Sequence, residues 1–399
     1  MRISTANAYE TTVDTLQQRQ RELAQAQQRL TSGKRVLQAS DDPVAAARAE
    51  RASATIGLAE TRQRALDASR SAMRLAEGAL GDANDLMQQI RETLVAAGNA
   101  SYTDTERSAL ATKIANLRSQ LLNVANRSDG AGTYLFGGQG GAVKPFIDTP
   151  AGVQFRGVSG DIDTPTPEKM PLAVDGGAAW LSGRSGNGVF ETRPAAANTG
   201  GAWVDGGSVS DPGALTGANY TIAFSVAGGT TTYSILRDGN PLGAPGQPYR
   251  PGKAIEVEGM SFTISGAPAD GDQFEVVPSS PSLSVFDTLD RVVAELRTPM
   301  RNPGQVQQGV IRGLRDLDQG MNALNALRSR VGELLNLADG AEGRNQDLML
   351  NAQTERSNAQ DLDMVQAISD FQNQQSGYDA ALKTYSMVQK MSLFQYISS

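Results

Sequence analysis

Asp161, Asp163 and Asp175 are the residues whose type and spacing come nearest to a metal site in this chain of 399 residues. Calcium collects several carboxylate and carbonyl oxygens from one flexible loop. No Asp-x-Asp-x-Asp-Gly loop with a closing Glu is present, so the three read as turn carboxylates. Gly137-Gly138-Gln139-Gly140-Gly141 has the glycines of a phosphate loop, but Lys144 is misplaced and no Ser or Thr follows it. The run reads instead as a flexible joint between domains. Trp180 and Trp203 have flat faces on which a sugar could stack, yet in a region poor in aromatics they read as core. The chain has no His and no Cys, which excludes Ser-His-Asp and Cys-His triads, His-Glu-x-x-His zinc and structural zinc clusters. Carboxylate-pair and lysine chemistry stay open in principle, but no constellation carries them. The expected catalytic, cofactor-binding and metal residues are therefore none.

A net charge of -7 and a pI near 4.9 argue against a nucleic-acid partner, which needs a basic face. No apolar run reaches transmembrane length, so no membrane insertion is expected. The first residues lack the hydrophobic region of a secretory signal, and export by the general pathway is not indicated. Without Cys, stability outside the cell would rest on packing and assembly rather than on disulfides.

The ends of the chain are helical in pattern. Tyr9, Leu16, Leu23, Leu30 and Leu37 recur every seven residues among glutamines, a stripe too narrow for a globular core face. Phe371, Tyr378 and Tyr385, preceded by Met364, repeat the same spacing near the other end. Leu16, Leu23, Leu30, Phe371, Tyr378 and Tyr385 are thus candidate partner contacts, on helices that wait for others. Between 30 and 47 one helix stops and a longer one starts. Gly33 suits the left-handed conformation that ends a helix, Ser40, Asp41 and Asp42 are N-cap residues, and Pro43 suits the first helical position. The stretch is either an ordinary helix connection or a hinge with a role in assembly, and spacing alone does not separate the two.

The pattern predicts a helix from Pro43 to about Ala97 and a third from a capping box at Thr103 and Glu106 to about Asn126. Residues 137–282 then hold 27 of the 42 glycines and 14 of the 17 prolines, so helix gives way to strands and turns. Alternation at Tyr220, Ile222, Phe224 and Val226, with Asp238-Gly239 and Asp270-Gly271 turns, predicts a twisted sandwich or partly open barrel. Helix returns at Ser284, stops near Pro299 and Pro303, and resumes from about Gln305 to the end. The expected fold is mainly α with an inserted β domain, the two termini forming a long antiparallel bundle or coiled coil. The expected division is 1–40 with 362–399 as a terminal coiled coil, 41–136 with 284–361 as a helical rod, and 137–283 as an outer β domain.

Leu30-Thr-Ser-Gly33 followed by Ser40-Asp-Asp-Pro43 resembles the Leu-Ser-Ser-Gly...Ala-Asp-Asp motif of the flagellin family. Further matching stretches, in the same order, are Met1-Arg2-Ile3-Ser4-Thr5, Tyr134-Leu135-Phe136-Gly137-Gly138, Asp361-Leu362-Asp363-Met364 and Val388 to Phe394. The resemblance covers 1–138 and 284–399. The Ser-Asp-Asp-Pro variant is similar to the hook-associated branch, and Gly259 to Val276 resembles a hairpin of that branch. The resemblance implies a structural protein of the bacterial flagellum, forming a layer between hook and filament and presenting an assembly surface to flagellin. Implied partners are further copies in a ring-like tubular layer, a hook-side junction protein, flagellin and a cytoplasmic export chaperone. Implied location is extracellular, after flagellar type III export. A flagellin filament subunit is the nearest alternative, disfavoured because Pro43 replaces the alanine usual after its Asp-Asp; a glycan-binding adhesin is the alternative of another class.

Overall fold

The computed structural model describes residues 2–164 and 169–397, with side chains between 10 and 387. Tyr9 and the end motifs at 1–5 and 388–394 lie outside the described side chains. Helices α1 (Arg2–Ser32), α2 (Pro43–Ala97) and α3 (Asp104–Ala125) come first. A β-rich stretch containing a short helix α4 (Gly177–Leu181) follows, and then α5 (Val285–Arg297), α6 (Pro303–Gln360) and α7 (Met364–Ile397). The fold is mainly helical with a central antiparallel β domain.

The starts of these helices follow from local chemistry. Thr103 and Glu106 form the expected capping box on α3, and Ser284 caps α5 by accepting from Asp287 N at 3.1 Å. The helix expected to run unbroken from Gln305 does not do so. It ends at Gln360, and α7 starts after Asp363, whose carboxylate accepts from the backbone N–H of Val365 and Gln366 at 3.0 and 3.2 Å.

The chain forms two compact units. Residues 65–340 make the larger, which has two hydrophobic cores. In the first, Met73, Leu80, Met87 and Ile90 of α2 pack with Ile114 and Leu121 of α3, Leu289 of α5, and Leu317 and Leu324 of α6. Polar pairs tie α2 to α6 antiparallel at a spacing of seven on α2: Arg70 with Asp339, Glu77 with Arg328, Asn84 with Asn325 and Arg91 with Asp318. Exposed pairs of this kind contribute only ~0.2–1 kcal/mol each, so they set register more than stability.

This helical core does not stop at 136. Phe136, Phe146, Val153, Val174 and Trp180 are buried in it. The Trp180 ring stacks on Phe286 at 5.7 Å, with Phe136 and Phe146 each 6.1 Å away and edge-on. Arg118 lies over the Phe286 ring and is held by Asp148 and Asp290, which together raise its proton affinity. The strands β1 (Phe146–Thr149) and β2 (Gly152–Phe155) form a hairpin on this core; β3 (Ile162–Asp163) pairs with β4 (Pro171–Ala173). Gly137 to Gly141 is not a loose joint. Gly138, at φ +58°, donates its N–H to Val174 O, and an added Cβ would lie 2.0 Å from Val158 O. The glycines are there because two backbones cross in contact.

After β5 (Gly183–Arg184) the chain builds the second core. Strands β6 (Phe190–Pro194), β7 (Trp203–Val204), β8 (Ser208–Val209), β9 (Tyr220–Ala227), β10 (Thr230–Arg237), β11 (Asn240–Pro248), β12 (Ala254–Val257), β13 (Met260–Ser265) and β14 (Gln273–Pro278) form two antiparallel sheets. One has the order β11-β10-β9-β14-β6; the other is β12-β13-β7, with β8 also on β13. Ile222, Phe224 and Phe274 of the first sheet meet Ile255, Phe262 and Ile264 of the second, a sandwich-like core. Gly259 to Val276 is therefore not one hairpin, because β13 and β14 lie in different sheets. The buried Asp272 carboxylate accepts from the N–H groups of Thr199, Gly200 and Ala269 and fixes the crossing between them. Strand β15 (Pro281–Leu283) returns to pair with β5, where the domain closes.

Residues 1–64 and 341–399 make the second unit. Its buried seam is small. Ala45, Ala49, Ala52, Ile56 and Ala59 of α2 recur every three or four residues, matched on α6 by Ala341, Asn345, Ala352 and Ala359. Asn345 Nδ2 donates to Ala59 O at 2.9 Å and to Gln63 Oε1 at 3.1 Å.

Candidate assembly site: the two-stranded hinge and the terminal helix pair

Gly33 ends α1 at φ +68°, the conformation anticipated for it. Its carbonyl accepts from Leu362 N at 3.0 Å, and Arg35 N donates to Gln360 O at 2.8 Å, around an antiparallel bridge between Lys34 and Asp361. Arg35 Nη2 adds a bond to Ala359 O at 2.9 Å, and Val36 is buried beside it. The hinge is thus two backbones joined, 33–36 against 360–362. Gln360 was not marked from the sequence, and Asp361 and Leu362 entered only as part of a matching stretch, not as hinge residues; the signal that could have marked them is Asp363 with Gln366 three residues on, a helix start inside an apparently continuous helix.

The two aspartates expected to share the cap have separate tasks. Asp42 Oδ1 accepts from Ala45 N at 3.0 Å and is the cap of α2, with Pro43 first in the helix. Asp41 Oδ2 instead accepts from Leu37 N and Gln38 N at 3.0 and 3.1 Å, closing the loop before the helix. Those backbone donors hold the Asp41 carboxyl below the usual range, and the Ala45 N–H, with Arg35 nearby, does the same for Asp42. A depressed carboxylate stabilises the loop at neutral pH, and that contribution disappears only as pH falls through the depressed value. Amide exchange at Leu37, Gln38 and Ala45 should be slow and unchanged from pH 7 to 5, after correction for intrinsic rates, and should accelerate in acid below the ordinary carboxylate range. Protection that persists after both carboxyls have protonated would show that the loop is held by other contacts.

Helices α1 and α7 pack antiparallel beyond the hinge, with Arg19 Nη1 so near Gly377 that an added Cβ would come within 2.5 Å of it. Leu16, Leu23, Leu30, Phe371, Tyr378 and Tyr385 are all half-buried on this pair. Among the described residues of the two helices no side chain is fully buried. On α7, Met364, Val365, Ile368, Leu382 and Met387 remain exposed, Val365 to 83%. A groove of about 420 Å³ opens beside the hinge, lined by Arg29, Arg35, Asp363, Asp370 and Gln374 among others.

The remaining sequence candidates lie elsewhere. Asp161 accepts from Asp175 N at 2.9 Å and pairs with Arg330 at 2.5 Å; Asp175 accepts from Gly160 N and Gly177 N. Both are occupied by donors rather than arranged round a cation. Trp180 is buried in the helical core, and Trp203 is half-buried against Gly266 in the β domain.

The chain carries an N-terminal helix that ends at Gly33, a C-terminal helix paired with it, and a β domain inserted between them in sequence. The bacterial flagellin N-terminal helical region matches residues 3–140. Along its whole length the chain is similar to flagellar hook-associated protein 3: that of Salmonella typhimurium is 25% identical over 402 residues, 99% of each chain. The crystal structure of flagellar hook associated protein-3 from Legionella pneumophila superimposes with a TM-score of 0.72 at 28% identity, covering 76% of this chain and 97% of that one. A flagellin from Clostridium tyrobutyricum is 30% identical, but over only 33% of this chain and 35% of its own.

Proposed function

We propose that this chain is a structural subunit of the bacterial flagellum, forming the layer between hook and filament and offering flagellin a surface on which to assemble. The observation that carries this reading is the half-covered terminal pair. Two long helices with no fully buried described side chain and an exposed apolar row on α7 cannot be held by their mutual burial alone. Further copies, a hook-side junction protein and the first flagellin would cover Leu16, Leu23, Leu30, Phe371, Tyr378, Tyr385 and the exposed α7 row. Likeness along the full length to hook-associated protein 3, against likeness over a third of the chain to a flagellin, supports a junction layer over a filament subunit. Passage by flagellar type III export with a cytoplasmic chaperone, and an outward position for the β domain, belong to the same proposal.

A strain lacking this chain decides between the readings. Flagellin should be secreted into the medium but remain unassembled, and swimming should be lost. Absence of flagellin from both medium and cell surface, with hooks intact, would identify the chain as the filament subunit instead.

A further inference from the structure

We propose that Arg291, Arg312 and Arg315 form a binding site for an oxyanion of the phosphate or carboxylate class, where the β domain meets α5 and α6. Three guanidinium groups meet here over two carboxylates. Asp316, only 2% exposed, takes Arg291 Nη2 at 2.5 Å and Arg315 Nε at 3.0 Å. Arg315 Nη1 also donates to Thr192 O at 2.9 Å and Thr192 Oγ1 at 3.2 Å. Glu191, on β6, lies 3.6 Å from both Arg312 Nη2 and Arg315 Nη2, beyond hydrogen-bond range. The next carboxylate, Glu295, is paired with Arg301 at 3.4 Å.

Among the described residues Arg312 has only these longer ion-pair contacts, to Glu191 and Asp316. Its Nε is 3.9 Å from Asp316, buried, and without a hydrogen-bond partner among the described residues. A guanidinium taken from water is costly unless an anion meets it, and its planar fork suits an oxyanion that accepts two bonds. Burial lowers the proton affinity of Arg312, and the neighbouring charge of Arg291 adds to this against the opposing pull of Asp316, Glu191 and Glu295. The Arg291 and Arg312 side chains remain 29% and 27% exposed, so the pair borders solvent from which an anion could come. Two sources fit the same chemistry: a dissolved phosphate, or a carboxylate on a neighbouring copy of this net-negative chain. The second source rests on the assembly proposed above; the first does not.

Calorimetric titration of the full-length monomer with inorganic phosphate, at constant ionic strength in chloride, tests the site. Saturable binding is expected, weakened at least about tenfold in Arg312→Gln, the scale of losing one charge-assisted contact. Arg330→Gln, which alters an exposed arginine paired elsewhere, should bind as the wild type does. Should Arg312→Gln fail to fold, the wild-type titration still decides, because absence of saturable binding overturns the site. Binding that is equal in Arg312→Gln and wild type overturns it as well. Sedimentation of the concentrated chain then separates the sources. Phosphate that binds without changing self-association assigns the site to the free ion, and phosphate that dissociates oligomers through Arg312 assigns it to a neighbour's carboxylate.

Discussion

Deleting residues 137–283 should abolish cooperative melting of the helices, while deleting only 186–279 and joining Ser185 to Ser280 through a short Gly-Ser linker should preserve it. The difference lies in where the hydrophobic cores divide. The longer deletion removes Phe146, Val153, Val174 and Trp180 from the core that holds Phe286 and Met87. Losing one large buried aromatic costs about 3–5 kcal/mol, and two approach the whole stability of a domain, about 5–15 kcal/mol. The shorter deletion cuts where Ser185 N already donates to Ser280 O at 3.0 Å, so the linker spans almost no distance. It keeps the pairing of β5 with β15 and removes the second core entire. Some loss is expected, since buried Gln308 on α6 gives up its bonds to Val204 N and O and becomes solvated. Thermal melting followed by helical circular dichroism checks both deletions. A cooperative transition in the longer deletion would show that the helices form a core without the Trp180 cluster.

Replacing Gly33 by Leu together with Pro43 by Ala should leave a folded, secreted monomer that builds no filaments. At φ +68° a leucine is strained by about 1–2 kcal/mol, although a Cβ there would meet no other atom within 4 Å. The strain is relieved if the backbone becomes helical, and both substitutions favour helix over the break. Continuing α1 through 33–36 would break the bonds from Leu362 N to Gly33 O and from Arg35 N to Gln360 O. The alanine seam and the cores of 65–340 are untouched, so melting of the monomer should barely change. Filament counts, secretion and melting measured on the same double variant decide the matter. Normal filaments from a folded variant would reduce the hinge to a helix cap, whereas failure of the cores to melt cooperatively would show that the hinge holds the fold rather than the assembly.

What could be read from the sequence was what depends on near neighbours. Pro43, the Thr103 and Glu106 pair and Ser284 each mark a helix start by chemistry confined to a few residues, and the helices begin there. Asp238-Gly239 likewise makes its turn, joining β10 to β11 with both residues at positive φ. Half of the hinge was legible for the same reason, in Gly33, Asp41, Asp42 and Pro43. The other half was not, since Gln360 and Leu362 act through backbone groups that every residue type carries. The helix break at 361 was hidden inside a pattern that continues across it. Trp180 was readable as core but not as part of the helical core, because that depends on Phe286, more than a hundred residues away in the chain.

The alanine seam has a consequence for how the helices find their alignment. Because alanine recurs at nearly every buried position of α2 between 45 and 59, the side chains of α2 alone mark its alignment with α6 only weakly. Such a ruler has almost no marks on it. Asn345 supplies one, since a slip would strand its amide away from Ala59 O and Gln63 and leave it buried without partners, at a cost of roughly 1–3 kcal/mol. Together with the Arg70–Asp339 and Glu77–Arg328 pairs further along the same helices, this residue singles out one alignment. Small residues bury little apolar area per turn, so the bonds of Asn345 weigh more in this seam than they would among leucines.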